Sequence, residues 1–155
     1  MDSGKRWSTV IRPAWRSRAI FFIRLSVGLV FFTQGILKYI DPNMGVNRFA
    51  RIGFPFPHFT AQFVGTFEII CGLLVLVGLL TRISAIPLLI VICTAIATTK
   101  VPELANPHQG FWFMVSDART DFSMLMSLLF LVRSGAGLWS LDARLMGSES
   151  NERAR

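Results

Sequence analysis

Four long apolar runs divide this chain, each close to the roughly 20 residues that an α-helix needs to cross a bilayer. They extend over Ala19 to Lys38, Phe59 to Leu80, Ile83 to Thr99 and Phe122 to Leu138. The third is short, which a tilted neighbour or local thinning of the bilayer accommodates. Apolar residues make up 52% of the 155 positions and charged residues only 16%, with a mean hydropathy of +0.52. A soluble domain of this length could not hide so many apolar side chains in one core, but lipid accepts them. The expected fold is therefore all-α, a polytopic membrane four-helix bundle. The connection from Leu80 to Ile83 is so tight that the second and third runs are expected to form a helical hairpin, with Thr81 and Arg82 at its tip.

The intervening segments, Tyr39 to His58 and Lys100 to Asp121, carry Pro42, Pro55, Pro57, Pro102 and Pro107 and read as loops or interfacial pieces. Orientation follows from lysine and arginine near the spans. Lys5, Arg6, Arg12, Arg16, Arg18, Arg82, Arg144, Arg153 and Arg155 fall on one side, against Arg48, Arg51, Lys100 and Arg119 on the other. Nine against four predicts that both termini are cytoplasmic. The net charge of +7 is spread between apolar runs rather than gathered into a patch, which argues against a nucleic-acid partner. Arg24 interrupts the first run and no small-residue cleavage site follows, so it reads as a span and not a cleavable signal. Three regions result: a basic N-terminal segment over residues 1–18 suited to anionic lipid, a membrane domain over 19–142, and a polar tail over 143–155 expected to be disordered.

Charged groups at membrane depth are costly and usually face the bundle interior. Here they are Arg24, Lys38, Glu68, Asp121 and Arg133, with Gln34 beside them. Helical periodicity places Arg24, Gly28, Phe31, Gly35 and Lys38 on one face of the first helix. Ala61, Gly65, Glu68 and Gly72 form a matching small-residue stripe on the second. Ser84, Thr94, Ala95 and Thr98 give the third a weakly polar face. An ionised, unpaired Glu68 would be strongly disfavoured in lipid, so it is either paired or protonated. Counted from the ends of the runs, Arg133 lies nearest Glu68 in depth. Arg24 is preferred as the partner because it occupies its helix's small-residue face. Lys38 and Asp121, at the outer edge, are expected to pair with each other. His58 and His108 lie at the outer surface, where loop solvation is the simpler role and a quinone-facing one the alternative. Cys71 and Cys93 read as separate buried thiols, with no histidine at metal-ligand spacing.

Arg24-Leu-Ser-Val-Gly28 with Gly35-Ile-Leu-Lys38 resembles the first helix of DoxX proteins. Gly53-Phe-Pro-Phe-Pro57, Glu68-Ile-Ile-Cys-Gly72, Gly78-Leu-Leu-Thr81-Arg82, Gly135-Ala-Gly137 and Ser140-Leu-Asp142 extend the likeness over about residues 20–143. The resemblance implies a four-helix protein of the plasma (bacterial inner) membrane. It maps the recurring polar positions onto Arg24, Lys38, Glu68 and Asp121, where glutamate would be expected in place of the last. Related DoxD-type subunits belong to thiosulfate:quinone oxidoreductases, other members are linked to redox defence, and distant relatives act as chaperones or cargo receptors.

Three functions are open at this point. The first is a membrane subunit of a quinone-linked redox complex, with Glu68 relaying protons and Arg24 or Lys38 holding a quinone oxygen. Gln34, His58, Asp121 and Arg133 would line the cofactor site. No metal, haem or nucleotide motif is present, so electrons would have to come from a partner membrane or redox protein. The second is a non-catalytic scaffold or chaperone-like subunit, and the third a small transporter or proton pathway.

Overall fold

The computed structural model describes residues 18–102 and 110–143. The basic stretch before Arg18, His108 and the polar tail beyond Ala143 lie outside the described residues. Those described form helices and connecting turns, with no strand among them. Helix α1 spans Ile20–Ile40, the short α2 Val46–Ile52, α3 Pro57–Val77 and α4 Thr81–Ala95. A π-helical turn, Ile96–Lys100, continues α4, and α5 spans Gly110–Ser134. Ile20–Ile40, Pro57–Val77 and Thr81–Lys100 are long and apolar enough to cross a membrane, by length and composition.

The fourth expected run is displaced. Helix α5 starts at Gly110, twelve residues before Phe122, and stops at Ser134. Its C-terminal stop follows from Gly135 at φ 79° and Gly137 at φ 76°, in the left-handed region where glycine meets no Cβ penalty. With Asp117, Arg119, Asp121 and Arg133 along its length, α5 is the most polar of the long helices. The hairpin between the second and third runs forms as expected, but its tip is Gly78 to Leu80, and Thr81 opens α4. Gly78 ends α3 at φ 74°, and the N–H groups of Gly78 and Leu79 both donate to the Leu74 carbonyl at 2.9 Å.

The helices associate chiefly as two pairs, α1 with α3 and α4 with α5. Glycines hold the first pair together. A Cβ added at Gly28 would lie 2.8 Å from the Gly72 carbonyl oxygen, and one at Gly35 2.8 Å from that of Gly65. Small-residue faces of this kind let backbones approach closely where lipid supplies no hydrophobic drive. Val27, Val75, Ala85, Leu88, Leu128 and Leu131 fill the centre and are fully buried. Phe22, Leu29, Ile70, Ile83 and Ile90 point outward, as side chains facing acyl chains would.

Candidate functional site

Glu68 faces inward from the middle of α3 and is 3% exposed. Its Oε2 accepts a hydrogen bond from Lys38 Nζ of α1 at 2.5 Å. The missing side chain at Gly65 makes room for this pair, since a Cβ there would sit 3.3 Å from Lys38 Cβ. Both residues are among the charged groups expected at membrane depth, but the expected pairs, Glu68 with Arg24 and Lys38 with Asp121, do not form.

The glycine contacts explain why. Gly28 lies against Gly72 and Gly35 against Gly65 in antiparallel helices, so Glu68 stands level with Phe32 of α1. From there Lys38 is six residues away, about 9 Å, and Arg24 eight, about 12 Å. Helical side chains lean toward the N-terminus of their own helix. Lys38 therefore leans toward Glu68 and Arg24 leans away from it. Counting depth from the ends of apolar runs misses this register, which the glycines set.

Arg24 has a different set of partners. It is 1% exposed, and Nε donates to the Val75 carbonyl at 3.0 Å while Nη2 donates to Leu76 at 2.8 Å. Nη1 donates to Ala136 at 2.8 Å and to Trp139 at 2.7 Å. The guanidinium thus satisfies carbonyls at the C-terminal end of α3, where a cation also complements the helix dipole, and ties them to the segment after α5. Asp142 completes this end, its carboxylate accepting hydrogen bonds from the backbone N–H groups of Leu80 at 2.9 Å and Thr81 at 3.4 Å. Arg133 also belongs here. It is exposed, and its carbonyl meets Arg82 Nη2 at 3.5 Å, far from Glu68.

At the opposite end the two helix pairs part around a cavity of ≈ 490 Å³. Gln34, Lys38, Glu68 and Asp121 all line it, so four of the nominated residues converge there. Arg24, His58 and Arg133 do not line it, and His58 is exposed on the first turn of α3. Most of the wall is apolar, with Phe31, Phe49, Phe63, Phe67, Ile90 and Met124. Thr94, Ala95 and Thr98, from the weakly polar face expected of the third helix, line it too, as do Arg48, Thr99 and Thr120, which the sequence pattern does not single out. Arg48 was counted only as a loop charge, although the short helix α2 carries it over the cavity. The threonines reach it partly through the π-helical turn, where Thr98 Oγ1 donates to the Thr94 carbonyl at 2.7 Å and Thr99 Oγ1 to that of Ala95 at 2.6 Å. Such turns recur at functional sites, and the β-branched run Thr98-Thr99 near the helix end was the available sequence signal. A second cavity of ≈ 440 Å³ lies alongside, lined by Arg48, Arg51, Ile52, Thr98, Thr99 and Pro102. Beside it Lys100 Nζ donates to the Asp117 carboxylate.

The DoxX family pattern matches residues 19–101, from α1 to the end of the π-helical turn, and so includes Lys38, Arg48, Glu68, Thr98 and Thr99. The chain belongs to the DoxX family. Among its DoxX-type relatives, the membrane protein Rv3486 of Mycobacterium tuberculosis (strain ATCC 25618 / H37Rv) is 51% identical over 132 residues, which cover 82% of this chain and 81% of Rv3486. CatD of Bacillus subtilis (strain 168), provisionally named an oxidoreductase, is 29% identical over 129 residues, 83% of this chain and 88% of CatD. No solved structure matches the chain. The DoxX pattern stops before α5, so Asp121 and Thr120 enter the site from outside the matched stretch.

Proposed function

We propose that this DoxX protein is an integral membrane subunit of a quinone-linked redox complex, with its quinone site in the cavity between the two helix pairs. One observation carries the reading: a buried Lys38–Glu68 pair on the wall of a mostly apolar cavity in a chain with membrane-spanning helices. A cavity of ≈ 490 Å³ with a few convergent polar groups suits a small aromatic head group with two carbonyl oxygens. Phe63, Phe67 and Ile90 line the cavity and are themselves exposed, which supports a lateral opening toward the acyl chains. The oxidoreductase name of CatD agrees with this reading.

In this proposal all four long helices form one transmembrane bundle in the plasma membrane. Both termini are cytoplasmic, following the excess of Lys and Arg on that side. The quinone supplies the two-electron chemistry, and the electrons come from a partner redox protein. The chain's own residues position the head group and handle protons. The Lys38–Glu68 hydrogen bond shares one transferable proton between Nζ and Oε2; either member can pass it to a quinone oxygen, and the pair then regains a proton from water that enters the cavity. Gln34 offers an amide N–H to the second carbonyl oxygen, and Asp121 supplies a further carboxylate for proton exchange.

The test is titration of a short-chain quinone into the purified protein, read by calorimetry. Saturable binding is expected, weakened about tenfold in Glu68→Gln, equivalent to about 1.4 kcal/mol. No binding by the wild-type protein, either alone or with the partners that co-purify in mild detergent, overturns the reading. Co-purified partners without quinone would favour a scaffold subunit instead.

A further inference from the structure

The two cavities share Arg48, Ile52, Thr98 and Thr99, so the second basin is walled by some of the same side chains as the Lys38–Glu68 cavity. The shared wall is one guanidinium, two hydroxyl-bearing side chains and one isoleucine. The basin adds Arg51, which is exposed. The opposite half of the molecule is closed by packing. Neither cavity is lined by any α1 residue before Val30 or any α3 residue after Glu68. Beyond those limits come the Gly28–Gly72 approach, the fully buried Val27, Val75, Leu128 and Leu131, and finally the guanidinium of Arg24 with four carbonyls around it.

From this asymmetry we infer that the Lys38–Glu68 cavity communicates with water at one membrane face only, the face carrying α2, through a throat formed by Arg48, Thr98 and Thr99. The face carrying residues 18 and 143 is sealed. The throat admits water, protons and small anions, and Arg48 is the residue that selects for negative charge. Among the described residues two arginines and no carboxylate line the basin, which favours a positive potential there, focused by low-dielectric walls. The inference deepens the proposed function by giving protons exchanged at Glu68 a single side. It concerns access alone and does not require that the ligand be a quinone.

Membrane-impermeant thiol reagents test it in oriented membrane vesicles of both polarities. The background is the full chain with Cys71→Ala and Cys93→Ala, into which Thr98→Cys, Gln34→Cys or Ala85→Cys is introduced. Thr98→Cys and Gln34→Cys are expected to react from the α2 face at least tenfold faster than from the other, and Ala85→Cys from neither. Equal reaction from both faces, faster reaction from the face of the chain ends, or no reaction at Gln34→Cys from either face overturns the one-sided throat. A second measurement isolates Arg48. The ratio of labelling rates for an anionic and a cationic methanethiosulfonate at Gln34→Cys is expected to fall about tenfold on Arg48→Gln, the loss of one nearby unit charge at intermediate dielectric. A ratio that does not move removes Arg48 from the throat. Quinone titration is read separately, so loss of sidedness with binding intact defeats this inference and leaves the functional reading standing.

Discussion

Lys38 and Glu68 are both nearly inaccessible, with side chains 10% and 4% exposed, so each depends on the other to remain charged away from water. Removing one partner leaves a buried unpaired group, a loss of about 3–5 kcal/mol in measured cases, whereas replacing both by apolar residues of similar volume is often close to neutral. Lys38→Met and Glu68→Met are therefore each expected to lower stability strongly in detergent, and the double variant to recover most of it. Denaturant titration followed by circular dichroism checks this. A double variant as unstable as the singles would show that the two groups do not act as a pair. Arg24 offers a contrasting case. Its planar fork places donors on four carbonyls, a geometry that a lysine ammonium cannot reproduce. Arg24→Lys should destabilise the fold by about 1–3 kcal/mol through unsatisfied buried carbonyls. The quinone affinity of the fraction that remains folded should be unchanged, because Arg24 does not line the cavity. An affinity that falls with Arg24→Lys would place Arg24 in the site after all.

The element most sensitive to a small change is the α1–α3 pair. A Cβ at Gly72 would lie 2.8 Å from the backbone nitrogen of Phe32 and 3.2 Å from its Cα, atoms that cannot move without shifting the helix. Gly72→Ala is expected to cost about 1–3 kcal/mol, read as an earlier thermal transition in detergent. Gly53→Ala tests a different liability. Open space surrounds it, and only its φ of 84° resists a side chain. It should be milder, near the roughly 1 kcal/mol of a left-handed alanine. Where the π-helical turn ends, Lys100 is tied to Asp117 of α5. Asp117→Asn removes the charge that holds this contact and is expected to raise amide exchange around residues 97–102. Exchange unchanged by Asp117→Asn would count against the tie.

Across the whole molecule the two ends have opposite characters. One is stitched together by backbone hydrogen bonds, with Arg24 and Asp142 linking the α3–α4 hairpin to the segment after α5. The other opens between the helix pairs and gathers Gln34, Lys38, Arg48, Glu68 and Asp121 around one cavity. A rigid end and a divided end suit a site that must hold a ligand at a fixed depth while exchanging protons. Truncation of the chain before Gly135 should therefore loosen the α3–α4 hairpin, 55 residues and more away in sequence, because it removes Ala136, Trp139 and Asp142 together. Limited proteolysis at the hairpin would detect this.

Three of the four apolar runs, the glycine stripes and the inward-facing Glu68 were legible from the residues alone. They depend on composition and helical period, which a linear chain carries in full. The same holds for the hairpin between α3 and α4, whose tight connection leaves no other arrangement. Pairing was not legible. Whether Glu68 meets Arg24, Arg133 or Lys38 depends on the register of two helices to within a turn, and that register is fixed by the backbone contacts of Gly28, Gly35, Gly65 and Gly72. The role of Arg24 required carbonyls from Ala136 and Trp139, more than a hundred residues along the chain. Arg48 looked like an ordinary loop charge until α2 folded over the cavity. Sequence determined which groups would be kept from lipid. Tertiary structure alone chose their partners, because partnership depends on distance and direction across helices, and neither is written in the spacing along one of them.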